Sequence, residues 1–354
     1  MLTRLAVKNF KSIGDPGVDL ELRPLTFLVG KNGAGKSSAL EALALVAQSL
    51  GMGSPNWGGD LVKYDDFLDV VHKRDANGSI TTVLEMVAPD AARLSLSCEI
   101  TFRNGGFHQY LQKPTPEQAM ANIYLTIKDH VFLLRSARGI EMGKVQPRPL
   151  TINWVGPQGE YLLYVLSVLY GPEGNQQAGS DIEHWAKIFE VDELIPGYTS
   201  AADLRISYRD SNIGTKLPGS STSYGSRQVL PIIVQIFWSE PGSVIMIEEP
   251  EISLHPQAQV DMAELLATAV ARGKQIIATT HSTFLLMGLT SAVQKKIIKP
   301  QDVVVYELEK GAKGTKVNKK LDMNKKGVIK GWVDSFSEVD KRLLREWTAT
   351  LPKV

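Results

Sequence analysis

The chain has 354 residues, 43% of them hydrophobic and 22% charged, and a formal net charge of +1. That length supports one large domain or two modest ones around a buried core. The near-neutral balance excludes a global field that would steer the protein to nucleic acid or an anionic membrane, so any such patch must be local.

The opening MLTRLAVKNF lacks the apolar core of a signal peptide. The longest apolar stretches, such as 229–238, are too short to span a bilayer, and a cytoplasmic protein without a membrane partner is expected. Residues 2–10 and 25–30 read as strands, the second running into a glycine-rich turn. Residues 36–50 read as a helix with Leu40, Leu43, Ala47 and Leu50 on one apolar face. From about 79 to 112 the period changes to two, with Leu94, Leu96, Cys98, Ile100 and Phe102 alternating with polar residues and Asn104-Gly105-Gly106 as a turn. This predicts a half-exposed antiparallel meander. Cys98 is the single cysteine, and its place in that run predicts a packed thiol.

A helical segment is expected over 158–190, interrupted at 171–179. Further on, 225–238 reads as a helix, 244–249 as a buried strand, 257–272 as a helix closed by Gly273, and 275–280 as a second buried strand. The final 50 residues read as a strand (302–308), a lysine-rich hairpin and a helix from about 338. Internal repeats and long heptad runs are absent from the sequence. The predicted class is α/β, a core built from 1–60 and 223–295. Around it lie a β subdomain at 75–135, a helical insert at 150–222 and a C-terminal extension at 296–354.

Residues 30–37 read Gly30-Lys31-Asn32-Gly33-Ala34-Gly35-Lys36-Ser37, the phosphate-loop pattern G-x-x-x-x-G-K-[ST]. The glycines let the backbone curl so that successive N–H groups face phosphate oxygens, and the following helix adds its positive dipole end. Lys36 is expected as an exposed loop residue reaching the β- and γ-phosphates, with the Ser37 hydroxyl placed for Mg²⁺. The nucleotide-binding candidates are Asn32, Gly33, Ala34, Gly35, Lys36, Ser37 and Ser38.

The apolar run 244–247 ends in Glu248 and Glu249. A strand ending in acids places carboxylates at the carboxyl edge of a parallel sheet, beside the phosphate loop. One carboxylate there can hold Mg²⁺ and the next can orient or deprotonate the attacking water. The second buried strand ends at His281, whose imidazole can hydrogen-bond a γ-phosphate; a satisfied capping histidine is the plainer alternative.

Together these residues resemble the ABC-type ATPases of the RecF, SMC and OLD (overcoming lysogenization defect) group. LAVKNFKSI is similar to the group's first strand, PLTFLVGKNGAGKSSALEAL to its Walker A region, IMIEEPEISLHPQAQ to its Walker B and D-loop, and ATTHSTFLL to its switch-histidine segment. FLLRSARG (132–139), WVGPQGEYLLYVL (154–166), SYGSRQVLPIIVQI (223–236) and MNKKGVIKGWVDSFSE (323–338) also look like segments of OLD-type members. The resemblance implies a P-loop ABC-type ATPase head with a mixed sheet, an antiparallel β-meander and a helical insert. It implies ATP and Mg²⁺ as cofactors. By it Lys36 and Ser37 become phosphate and metal ligands, Glu248 the Mg²⁺-side acid, Glu249 the catalytic base and His281 the switch. Gly225 and Ser226 would reach across a homodimer to the partner's nucleotide, and Lys11, in the Asn9–Ser12 turn, is a further nucleotide candidate. Glu248 stands where the group usually has Asp, and SYGSRQ departs from LSGGQ. Gln158 is either the group's Q-loop glutamine or an ordinary helix-start residue.

Many OLD proteins carry a Toprim nuclease; about 70 residues follow His281 here, so none is expected. Residues 291–330 hold eleven lysines against four acids, a solvated face or a phosphate-backbone site. The expected function is an ATP-hydrolysing dimeric switch that controls a nucleic-acid-related process or a separate effector protein, as in prokaryotic antiviral defence or repair. A non-hydrolysing nucleotide-dependent scaffold and the ATPase subunit of a transporter are the alternatives.

Overall fold

The computed structural model describes residues 1–87, 93–101, 107–111, 127–128, 130–139, 153–172, 174–200, 203–209, 213–331, 333, 342–343 and 345–346. The strands are β1 (Leu2–Lys8), β2 (Val18–Glu21), β3 (Leu25–Val29), β4 (Ser79–Val87), β5 (Arg93–Thr101), β6 (Phe107–Leu111), β7 (Val131–Leu134), β8 (Asp192–Ser200), β9 (Asp203–Arg209), β10 (Lys216–Pro218), β11 (Val244–Glu248), β12 (Gln275–Thr280), β13 (Val303–Gly311) and β14 (Gly314–Asp322). The helices are α1 (Lys36–Ser49), α2 (Leu162–Leu169), α3 (Gln176–Ile188), α4 (Tyr224–Trp238), α5 (Pro256–Ala271) and α6 (Thr283–Gln294).

β3, β7, β11 and β12 are buried at every position. Strands apolar on both faces need cover on both sides, as parallel sheets provide. They run parallel in a six-stranded sheet of order β14-β13-β3-β12-β11-β7, which β14 makes mixed by pairing antiparallel with β13. The lysine-rich hairpin of the expected C-terminal extension therefore supplies two strands of the central sheet. Pairing of β13 with β3 carries it to the strand that precedes the phosphate loop.

The expected meander forms as β4, β5 and β6, and its alternation holds, with every second residue of β4 buried. The first strand joins this antiparallel sheet, whose order is β2-β1-β4-β5-β6. Between the two sheets lies α1, touching β1 and β4 on one side and β7 and β12 on the other. The expectation of one apolar face is thus corrected. Every residue of α1 except Ser37 and Gln48 is buried, because the helix is covered twice and its alanines allow close approach.

The segment expected as a helical insert contains α2 and α3, but also β8, β9 and β10 in a three-stranded antiparallel sheet. Alternation in Leu204, Ile206 and Tyr208 carried that signal. Cys98 lies 1% exposed in β5, and burial pushes its thiol up to about 12. The helix expected from about 338 falls mostly outside the described residues. No described helix is long and apolar enough to cross a membrane.

Candidate functional site

Three segments distant in sequence meet at the carboxyl edge of the parallel strands. These are the loop after β3, the turn after β11 and the turn after β12. Register brings them level, with Val29 opposite Thr280 and Glu248 opposite Thr279.

The loop after β3 curls through left-handed glycines into α1. Gly35 has φ 95°, and a Cβ there would stand 2.1 Å from Thr315 Oγ1 and 2.9 Å from Ser12 Oγ, so only glycine fits. Lys36 is 6% exposed rather than the exposed loop residue expected. Its Nζ folds back into the curl and donates to the carbonyls of Gly30 at 2.8 Å and Lys31 at 3.3 Å. Burial lowers the Lys36 ammonium from its ordinary value, and the carboxylates of Glu249 and Glu251 oppose that. Ser37, Asn32 and Gly33 are exposed, Ala34 is buried, and the Ser38 hydroxyl meets Ser12 Oγ at 2.9 Å. Thr315, on β14, bonds both the carbonyl and the hydroxyl of Ser12. The C-terminal hairpin thereby buttresses the loop.

Glu248 ends β11, 6% exposed, with Oε1 3.4 Å from Arg135 Nη1 and Oε2 accepting from the Ser136 N–H at 3.2 Å. Glu249 follows at φ 44°, a left-handed conformation costing about 1–3 kcal/mol for a non-glycine residue. Its N–H donates to the Thr279 carbonyl at 3.0 Å, and its Oε1 lies 3.9 Å from His281 Nε2. That nitrogen has no hydrogen-bond partner among the described residues. Burial, then the field of Lys36, lowers the His281 imidazole, while Glu249 raises it. Glu251, 7% exposed, accepts from the His281 backbone N–H at 2.7 Å, and its other oxygen is unpartnered among the described residues. Burial raises its carboxyl.

Other expected residues lie apart from this cluster. Lys11 Nζ pairs with Glu41 at 2.5 Å, 5.3 Å from the Tyr64 ring centroid. Arg135 also pairs with Glu41, so two cations flank that buried carboxylate on α1 and hold it below the ordinary range against the burial that raises it. Gly225 packs on the turn after β11, where a Cβ would meet the Ser253 carbonyl at 2.6 Å. The Ser226 hydroxyl points inward, donating to the Phe189 carbonyl at 2.9 Å. Gln158 is exposed in the turn before α2. Sequence reading assigned no role to Arg135, Arg138, Glu251 or Thr315. Two arginines directly after an apolar strand were the available signal for the first pair.

The site fits a nucleotide with a magnesium ion. Lys36 already satisfies carbonyls inside a backbone cradle of the kind that holds phosphate. Among the described residues no group of three or more His, Cys, Asp or Glu side chains could hold a metal alone. A cation here would take most ligands from phosphate and water, as Mg²⁺ does.

A family model described as an AAA ATPase domain matches residues 1–90 and 175–286. The OLD nuclease of Thermus scotoductus is 28% identical over 323 residues, which are 80% of this chain and 59% of that protein. The DNA replication and repair protein RecF of Erwinia tasmaniensis is 40% identical over 76 residues, 21% of this chain and 20% of that protein. The chain thus spans less than two thirds of either relative. The fold is similar to that of an SmcHead solved bound to the C-winged helix domain of ScpA, with TM-score 0.60 and 15% identity over 91% of this chain and 98% of that one. With these matches beside the loop, the carboxylate pair and the mixed sheet, the chain belongs to the AAA ATPase domain family and is similar to ATPases of the RecF, SMC and OLD kind.

Proposed function

We propose that this chain binds ATP with Mg²⁺ and hydrolyses it between two copies of itself, as a switch acting on a nucleic-acid-related process or an effector protein. The observation that carries the reading is the convergence of Lys36, Glu248, Glu249 and His281 on one sheet edge. Lys36 moves from the loop carbonyls to phosphate oxygens when nucleotide enters. Ser37 and Glu248 would hold the metal, which would supply charge neutralisation at the phosphates; Arg135, already paired with Glu41, borders that position. Glu249 orients the attacking water and takes its proton. His281, kept neutral, offers Nε2 to the γ-phosphate.

These groups leave one side of the phosphates open, so donors from a second copy complete the site. In that dimer the N-terminus of α4, with Gly225 and Ser226, approaches the partner's nucleotide by its dipole end, since the Ser226 hydroxyl is committed to Phe189. The RecF relative's name joins replication and repair, and the OLD relative is a nuclease. Both favour the nucleic-acid reading.

Glu249→Gln should bind ATP with Mg²⁺ and lose turnover, because an amide keeps the shape and accepts no proton. Glu248→Gln should instead shift the Mg²⁺ dependence to higher concentration. Exchanged phenotypes in a turnover and nucleotide-binding assay would refute the assignment within the pair.

A further inference from the structure

Arg138 is 4% exposed. Its described hydrogen bonds all go to backbone carbonyls. Nη1 donates to Arg135 at 2.8 Å and to Glu248 at 2.6 Å, Nη2 to Glu249 at 2.9 Å, and Nε to Gln228 at 3.0 Å. One guanidinium therefore ties three segments: the exit of β7, the turn that carries both carboxylates, and the N-terminal part of α4 at Gln228.

Burial pulls the Arg138 guanidinium down to about 10, against the pull of Glu251, Glu248 and Glu249. An apolar side chain would fill the space without that desolvation. What the rigid five-donor fork adds is geometry. At Glu249 the effect is direct: the left-handed residue is held at its N–H by Thr279 and at its carbonyl by Arg138. Both flanking peptides are fixed, and with them the direction in which the Glu249 side chain leaves the backbone. At α4 the helix contains Pro231, which has no N–H for the Arg227 carbonyl. The Arg227 carbonyl thus lacks its helical partner, and Arg138 holds the neighbouring Gln228 carbonyl from outside the helix.

We propose that Arg138 is a positioning residue that locks the Glu248–Glu249 turn to the N-terminal part of α4 at Gln228, so that a load on the N-terminus of α4 reaches Glu249. The inference rests on Glu249 acting as the base. In the proposed dimer that N-terminus faces the partner's nucleotide, and the clamp links the two sites.

The test uses the full chain as wild type, Arg138→Lys and Arg138→Met. Three readouts are needed: affinity for a fluorescent ATP analogue, kcat and KM for hydrolysis, and amide hydrogen exchange over 224–232 and 249–254. In Arg138→Met, affinity and KM should stay within about threefold, while kcat falls on the order of 10²-fold, as expected for a misplacement near 1 Å. Arg138→Lys, which keeps the charge and part of the bonding, should recover some of kcat. Exchange should quicken in both segments together and not in the phosphate loop. A folded Arg138→Met with wild-type kcat would overturn the proposal. So would affinity and kcat falling in step with protection lost throughout, the mark of a merely structural arginine. If Arg138→Met does not fold, the same criteria apply to Arg138→Lys. If the wild type itself binds ATP without turnover, the hydrolytic reading fails, yet exchange in the two segments still judges the clamp: independent opening rates refute it.

Discussion

At the residue scale the site is a small electrostatic balance. His281 is held below the ordinary imidazole value by burial first and by Lys36 second, with Glu249 pulling the other way. An NMR titration should place its midpoint below about 6.5. Lys36→Met should move that midpoint up and Glu249→Gln should move it down; reversed signs would show that the three side chains do not face one another. The linkage follows the same direction. Because the folded form resists protonation, the unfolded chain takes the proton first, so His281 lowers stability as pH falls below about 6.5 and has no effect above it. Lys36→Ala should abolish nucleotide binding and leave the melting temperature within a few degrees, about the scale of 1 kcal/mol. The two loop carbonyls it releases can turn to water. Wild-type nucleotide affinity in that variant would remove the phosphate-loop assignment.

At the element scale the phosphate loop is held from outside as well as by its own turns. Thr315 of β14 bonds Ser12, and Ser12 meets Ser38 at the start of α1. Gly35→Ala would drive a Cβ to 2.1 Å from Thr315 Oγ1 at φ 95°. It should therefore destabilise the chain and weaken nucleotide binding together, a coupling that calorimetry and a binding titration can check. Thr315→Val, which keeps shape and removes the hydroxyl, should cost about 1 kcal/mol. Helix α1 tolerates less. Leu43, 0% exposed between two sheets, should cost roughly 2–5 kcal/mol on replacement by alanine, because neither sheet can collapse into the cavity. A loss under about 0.5 kcal/mol in denaturant unfolding would contradict the double coverage of α1.

At the scale of the whole molecule the question is assembly. Under the proposed reading one patch carries the nucleotide and another, the N-terminus of α4, completes the partner's site; a two-fold arrangement uses both pairs and closes. Light scattering on Glu249→Gln should show a monomer without nucleotide and a dimer with ATP and Mg²⁺. A monomer in both conditions, in protein that binds ATP, refutes the sandwich. The lysine run behaves in part as a solvated face. Lys295 pairs with Glu264 at 2.6 Å, Lys316 with Glu309 at 2.5 Å and Lys320 with Glu21 at 2.5 Å. Exposed pairs of this kind contribute about 0–1 kcal/mol each.

The segments that meet at the sheet edge were legible from residues alone. A glycine-rich turn after LTFLV, two acids after VIMI and a histidine after QIIATT each announce themselves because buried strands are short apolar runs and their ends are where polar residues resume. Period two marked the meander and the packed Cys98 in the same way. Tertiary structure alone decided how these pieces lean on one another. Nothing in Thr315 marks it as a support for a loop some 280 residues earlier in the chain, since β13 and β14 reach β3 only through sheet pairing. Burial of α1 on both sides depends on the first strand joining the far sheet, a register choice that leaves no local trace. Arg138 is the sharpest case. Its partners are carbonyls, which every residue possesses, so only the fold could reveal which ones it holds.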